Sequence, residues 1–423
     1  MWVWQGISSY GGDPRVIASR DEMLRVKHRM SAALAVVTQQ LHPLAFLHHT
    51  IAHLQFAVHY PSIAARLAAL EWACQSSAES FLSEDARLAV HLKALETVLD
   101  DQPWLRALLR SKLANQVLTG GLIALGVGQF LNGRAATQLT RGLINAGPLL
   151  FGTGDGHDPA KNARDLGNWL LGREHLLKLG VETGIRVTKE PVISNNKIPK
   201  NIAGLTARLY ETAGVGRPAI RVDRFEGSNG RTFVIYVPGT EGFALGGKKN
   251  AFDLNSAIHS FANDGEAAID RGLRQVIQSS AITANDRVIF VGYSQGGMAA
   301  ANLIAEQPPF KVAGLVSLGA PIGHIKLPGD VAVLALEHTN DMVPALSGQT
   351  NPLTSQWATV QREYPVATGH MAVESHELGA YLDTSRQVDG LTDAGVARIR
   401  GVIDRALAAG DLCESQIFEI TRK

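Results

Sequence analysis

The segment that most constrains this chain is RVIFVGYSQGGMAAANLIAE, residues 287–306. Arg287 to Val291 is apolar and β-branched enough to read as a buried strand. Gly292-Tyr-Ser294-Gln-Gly296 follows, a G-x-S-x-G element, and an Ala-rich stretch from Met298 to Glu306 reads as a helix. Strand, sharp turn and helix together give the pattern its meaning: the turn is strained and lifts a serine hydroxyl above the sheet. Glycines suit such a turn because a Cβ there would meet neighbouring chain. Without that context the same five residues would be an ordinary Gly/Ser turn between two core elements.

A strand feeding a helix implies more of the same. Ala219–Phe225 and Thr232–Val237 read as strands joined by the hairpin signal Glu226-Gly-Ser-Asn-Gly230. Asn255–Ser279 has helical spacing. Val312–Leu318 and Val331–Leu336 are apolar runs of the buried, parallel type. Trp357–Glu363 reads as a last strand and Leu391–Ala409 as a last amphipathic helix. Strands alternating with helices predict an α/β domain over 201–423, with a mostly parallel sheet and helices on both faces.

Upstream the periodicity is helical. Asp13-Pro14 marks a helix start, and Val16, Ile17, Met23, Leu24, Met30, Leu34 and Val37 recur at helical spacing. Further candidate helices follow as far as Pro103. Residues 114–150 are rich in Gly and Ala; the apolar run Val117–Leu131 is about 15 residues, short of the roughly 20 that a spanning helix needs. Residues 1–150 are therefore expected to form an all-α domain ending in an apolar, small-residue hairpin. Residues 151–200 are expected to be a polar connector around one helix, Ala163 to Leu179.

Composition narrows the function classes. The chain has 423 residues, enough for two or three domains, with 45% hydrophobic and 19% charged residues. A formal net charge of +1 gives no overall field for nucleic acid. Two cysteines, Cys74 and Cys413, support neither a disulfide framework nor a Cys-rich zinc module. The start, MWVWQGISSYGGDP, lacks a basic n-region and apolar core, so a Sec signal peptide is not expected. The chain is expected to be cytoplasmic or exported by a non-Sec route, with no transmembrane helix.

Acyl transfer by a serine needs a nucleophile, a base, a group that orients the base, and donors for the oxyanion. Ser294 is the nucleophile candidate. Asp341, in Glu337-His-Thr-Asn-Asp341-Met-Val-Pro344, follows a later strand and is the candidate orienting carboxylate; Asn340 and Pro344 make a turn that can aim it. Two histidines compete as base. His376 in Glu374-Ser-His376-Glu is preferred and His370 is the alternative. The Gln295 N–H, at a helix start, is one oxyanion donor. The loop Val237-Pro-Gly-Thr240-Glu241 supplies the other, with Thr240 the choice and Glu241 the fallback. Such chemistry requires no cofactor and no metal.

Two other signals carry less weight. Gly242-Phe-Ala-Leu-Gly-Gly247-Lys248-Lys249 falls one residue short of a P-loop, because Lys249 stands where a Mg²⁺-binding hydroxyl is needed. His42, His48, His49, His53 and His59 crowd one region without Cys or carboxylate among them, which reads as polar positions on helices.

From about 198 to 390 the chain resembles α/β-hydrolase-fold serine hydrolases of the lipase/esterase type. More narrowly, it is similar to an actinobacterial group with a helical N-terminal region. The matching pieces are Val237-Pro-Gly-Thr240, Gly292-Tyr-Ser-Gln-Gly-Gly297, Ser317-Leu-Gly-Ala-Pro-Ile-Gly323, Glu337-His-Thr-Asn-Asp341-Met-Val-Pro344, Asn351-Pro352 and His376 through Tyr381. The elbow wording is also similar to cutinases, whose paired cysteines are missing here. Tyr10-Gly-Gly-Asp-Pro14 before a long helix resembles small helical proteins of type VII secretion, without the tyrosine-based tail motif of that system. The resemblance implies hydrolysis of a small-molecule or lipid ester. It leaves the N-terminal helices as a candidate surface for a membrane or a secretion partner. The competing expectation is a non-catalytic partner- or membrane-binding protein that uses the hydrolase domain as a scaffold.

Overall fold

A computed structural model describes residues 2–4, 7–12, 137, 140, 159–172, 182–227, 230–241, 249–366, 372–408 and 412–423. The proposed N-terminal bundle, the hairpin at 114–150 apart from Thr137 and Thr140, the histidine group at 42–59, Cys74, His370 and most of the near-P-loop lie outside them.

In chain order the elements begin with strands β1 (Trp2–Trp4) and β2 (Ile7–Gly11), then helix α1 (Pro159–Leu171), β3 (Ile185–Lys189), β4 (Ile193–Lys197) and α2 (Ile202–Ala213). The hairpin β5 (Ala219–Gly227) and β6 (Gly230–Val237) follows, then α3 (Leu254–Ala262), α4 (Ala268–Ser279), β7 (Arg287–Tyr293) and α5 (Gln295–Ala305). The rest is β8 (Lys311–Leu318), β9 (Ala332–His338), α6 (Met342–Ala345), β10 (Trp357–Arg362), a 3₁₀ turn (Ala372–His376), α7 (Leu378–Val388), α8 (Ala394–Leu407) and β11 (Leu412–Arg422).

These strands form one 11-stranded sheet in the order β1-β2-β10-β9-β8-β7-β6-β5-β11-β3, with β4 also on β11. Strands β6 to β10 are mutually parallel. All other pairings are antiparallel. The sheet is therefore mixed, with a parallel centre, and the expected mostly parallel sheet is corrected. The reason is β11, which enters between β5 and β3, and β2, which closes on β10 from the opposite end of the chain.

That pairing also redraws the domain limits. Trp2–Gly12 belongs to the same compact unit as the sheet. Ile7 is 3% exposed and belongs to the same buried cluster as Val360 and Val396. The stretch 151–200 is more than a connector, since β3 and β4 are strands of the sheet. Arg422 on β11 ties residue 182 down: its guanidinium bonds both Glu182 and Asp253. The expected helix 255–279 is broken in two. Asn263 sits at φ +51 and ends α3, and Asn tolerates that left-handed position better than most residues.

The steps β6→β7→β8→β9→β10 all move the same way across the sheet. Right-handed crossovers that step in one direction place their connections on one face. Leu273 and Val276 of α4 and Met298 and Ile304 of α5 accordingly share one buried cluster with Phe233, Phe290 and Leu315. The alternate residues, Val234, Ile289, Val291, Val316 and Leu334, face α2, α7 and α8 through Leu205, Tyr381 and Ile399. Strand periodicity thus divides the core into two layers. Truncating Phe290, which is fully buried, to Ala would cost about 3–5 kcal/mol. The functional consequence is that β6, β7 and β9 end at the same edge of the sheet, so the loops after them meet. Among the described residues no helix is long and apolar enough to cross a membrane.

Candidate active site

Ser294 sits at the turn between β7 and α5, with φ +52 and ψ −123. That backbone region strongly favours glycine, and a side chain there stores about 1–3 kcal/mol of strain. The turn is held from both sides: Ser294 N–H donates to Leu318 O at 2.9 Å, and Met298 N–H donates to Ser294 O at 3.2 Å. Close approach dictates Gly296, since a Cβ there would lie 2.1 Å from Val237 O. Serine is a favoured helix N-cap. Ser294 occupies that position yet makes no capping bond; its Oγ lies 2.9 Å from His376 Nε2.

His376 ends the 3₁₀ turn that precedes α7. Its Nδ1 is 2.6 Å from Asp341 Oδ2. The structure therefore brings Ser294, His376 and Asp341, separated in sequence, into one hydrogen-bonded line. Asp341 caps α6, accepting from Val343 N–H through Oδ1 at 2.9 Å. Asn340 fixes the approach to it, exchanging two bonds with the backbone of Tyr364. With Asp341 only 1% exposed, water does not satisfy its charge; the protein's own donors do.

One of those donors is a residue that sequence pattern alone does not single out. Tyr381 Oη donates to Asp341 Oδ2 at 2.7 Å and accepts from His338 N–H at 3.2 Å. Burial first, and the Asp341 charge second, push the Tyr381 hydroxyl well above the usual phenol range, so it stays a donor. The His338 ring stacks on Tyr381, centroids 4.1 Å apart. Its Nδ1 meets Ser375 O at 2.5 Å and its Nε2 meets Thr384 Oγ1 at 2.8 Å. Burial lowers the His338 pKa to about 4, so the ring is neutral near pH 7. Tyr293, next to Ser294, donates its hydroxyl to the His376 carbonyl. Sequence could have flagged Tyr381 only through its place in the helix that follows His376.

The oxyanion candidates also converge. Gln295 is the first residue of α5, so its N–H has no intrahelical acceptor. The loop after β6 packs on the elbow: a Cβ at Gly239 would lie 2.9 Å from Ser294 Cβ. Thr240 Oγ1 bonds Gln295 Oε1 at 3.0 Å, which ties that loop to the start of α5. The fallback Glu241 is less suited, because its N–H already donates to Phe252 O at 2.8 Å. An ester carbonyl over Ser294 would thus sit beside a nucleophile, a base and a helix N-terminus.

A separate cavity of about 610 Å³ lies between the loops 323–331 and 349–357, and Ser294, Asp341 and His376 do not line it. Among the described residues no group of three or more His, Cys, Asp or Glu side chains could hold a metal ion. Cys413 is a free, buried thiol on β11, and burial raises its pKa to about 12. No protein-family model matches this chain, and neither a curated protein nor a solved structure matches it.

Proposed function

We propose that this chain is a serine hydrolase of the α/β-hydrolase type that cleaves carboxylic esters through an acyl-enzyme. The observation that carries this reading is the hydrogen-bonded line Asp341–His376–Ser294 on a strained elbow. Two further features support it. The three residues occur in the chain order Ser, Asp, His. The nucleophile and the acid lie at the carboxyl ends of parallel strands, where open α/β sheets take their ligands. The ester class and the small-molecule or lipid nature of the substrate rest on the sequence resemblance.

The proposed chemistry follows from the geometry. His376 Nε2 removes the Ser294 proton as Oγ bonds to the ester carbonyl carbon. Asp341 holds the imidazole with Nδ1–H toward it and stabilises the imidazolium. The carbonyl oxygen gains negative charge facing the Gln295 and Thr240 N–H groups, and fixed donors there lower the barrier. Collapse breaks the bond to the alkoxy oxygen, and His376 gives the leaving alcohol its proton. Water, deprotonated by His376, then attacks the acyl-enzyme; the carboxylic acid leaves and Ser294 recovers its proton.

The test is turnover of a short p-nitrophenyl ester by the full chain and by Ser294→Ala. Turnover by the full chain that falls by several orders of magnitude in the variant is the expected result. Equal rates for the two proteins, or no turnover of any ester by a folded chain, would refute it.

A further inference from the structure

The geometry points to Tyr381 and His338 as positioning residues that lock Asp341 and His376 into register, an inference that rests on the functional reading above. Their arrangement is reciprocal. Tyr381 Oη has two partners, and they fix its proton. The His338 N–H occupies a lone pair at 3.2 Å, so the O–H points at Asp341 Oδ2, 2.7 Å away. His376 Nδ1 shares that same oxygen. With Oδ1 taken by Val343 N–H, the carboxylate is fastened on both oxygens and cannot rotate away from the base.

The His338 side chain acts on the other partner. A neutral ring has one donor and one acceptor nitrogen. Ser375 O can only accept, so Nδ1 carries the hydrogen and Nε2 accepts from Thr384 Oγ1. Arg362 Nη1 donates to the same Thr384 oxygen at 3.2 Å, which leaves the Thr384 proton free to face the ring. The Ser375 carbonyl held in this way is one peptide bond from His376. The Ser375 hydroxyl in turn donates to Asn340 O at 3.0 Å, one peptide bond from Asp341. A single buried chain of bonds thus fixes the main chain ahead of both the acid and the base. Neither Tyr381 nor His338 hydrogen-bonds Ser294, so neither is a catalytic residue.

Loss of the clamp would loosen the attack geometry while leaving the substrate's own contacts alone. That separates kcat from KM. In the full chain, Tyr381→Phe should lower kcat by about 10-fold with KM within about two-fold of the parent. His338→Ala should do the same. His338→Gln should recover most of the loss, because a carboxamide can donate to Ser375 O and accept from Thr384. Should either aromatic variant fail to fold by circular dichroism, Ser375→Ala removes the bond to Asn340 and is expected to show the same loss of kcat. An active parent with an unchanged kcat in Tyr381→Phe, or with His338→Gln no better than His338→Ala, overturns this inference alone. A folded but inactive parent overturns the functional reading and this inference together.

Discussion

The hydroxyl of Tyr293 donates to the backbone carbonyl of His376, so the residue just before the elbow serine grips the main chain of the histidine that faces that serine. The rings lie 5.1 Å apart. Burial, with Asp341 and Glu377 adding to it, pushes the Tyr293 hydroxyl up and keeps it protonated. Tyr293→Phe keeps the packing and deletes only this bond. Its kcat is expected to fall up to about 10-fold, the kinetic equivalent of one hydrogen bond. Steady-state kinetics of the variant check this; an unaltered kcat would mean that the bond does not orient the base.

Strain at Ser294 gives a stability prediction that is independent of chemistry. At φ +52 and ψ −123 any Cβ is unfavourable, and glycine is not. Ser294→Gly should therefore melt above Ser294→Ala, by the equivalent of about 1–3 kcal/mol. Calorimetry on the two variants checks it. Equal melting temperatures would show that the elbow is not strained.

Asp270 sets a pH dependence of stability. It is 3% exposed at the start of α4, bonded through Oδ1 to Ser260 Oγ. Burial raises its pKa from 3.8 to about 6. Between those values the folded protein holds a proton that the unfolded chain has released. This group's contribution is therefore fully present below about pH 4 and is lost as pH rises through about 6, by up to about 3 kcal/mol. Asp270→Asn cannot ionise. Its melting temperature should exceed the parent's at pH 8 and come close to it at pH 4. Parallel melting curves at both values would contradict the assignment.

What was legible in the sequence was mostly local. The elbow, the hairpin around Gly230 and the strands β8 to β10 follow from apolar runs bounded by turn residues. The acid and base candidates followed from chain order. The structure added two residues to β9, so Glu337 and His338 belong to the strand and only Thr339 onward is loop. Elements defined by distant partners were not legible. The strand β11 pairs with β5 across some two hundred residues, and β2 reaches β10 from the chain start. Neither segment shows a turn signal tying it to its partner, so β-pattern alone could not place it. Tyr381 and His338 escaped for the same reason. Their roles exist only once β9 and α7 pack together, and an isolated Tyr or His carries no spacing rule that announces it.

Activation of Ser294 is read out by mass spectrometry after reaction with a fluorophosphonate probe. The probe reports an activated serine without a guess at the substrate. A single adduct is expected on the peptide that contains Ser294, absent in Ser294→Ala and formed far more slowly in His376→Ala. A folded chain that gains no adduct, or one labelled equally after Ser294→Ala, would contradict it.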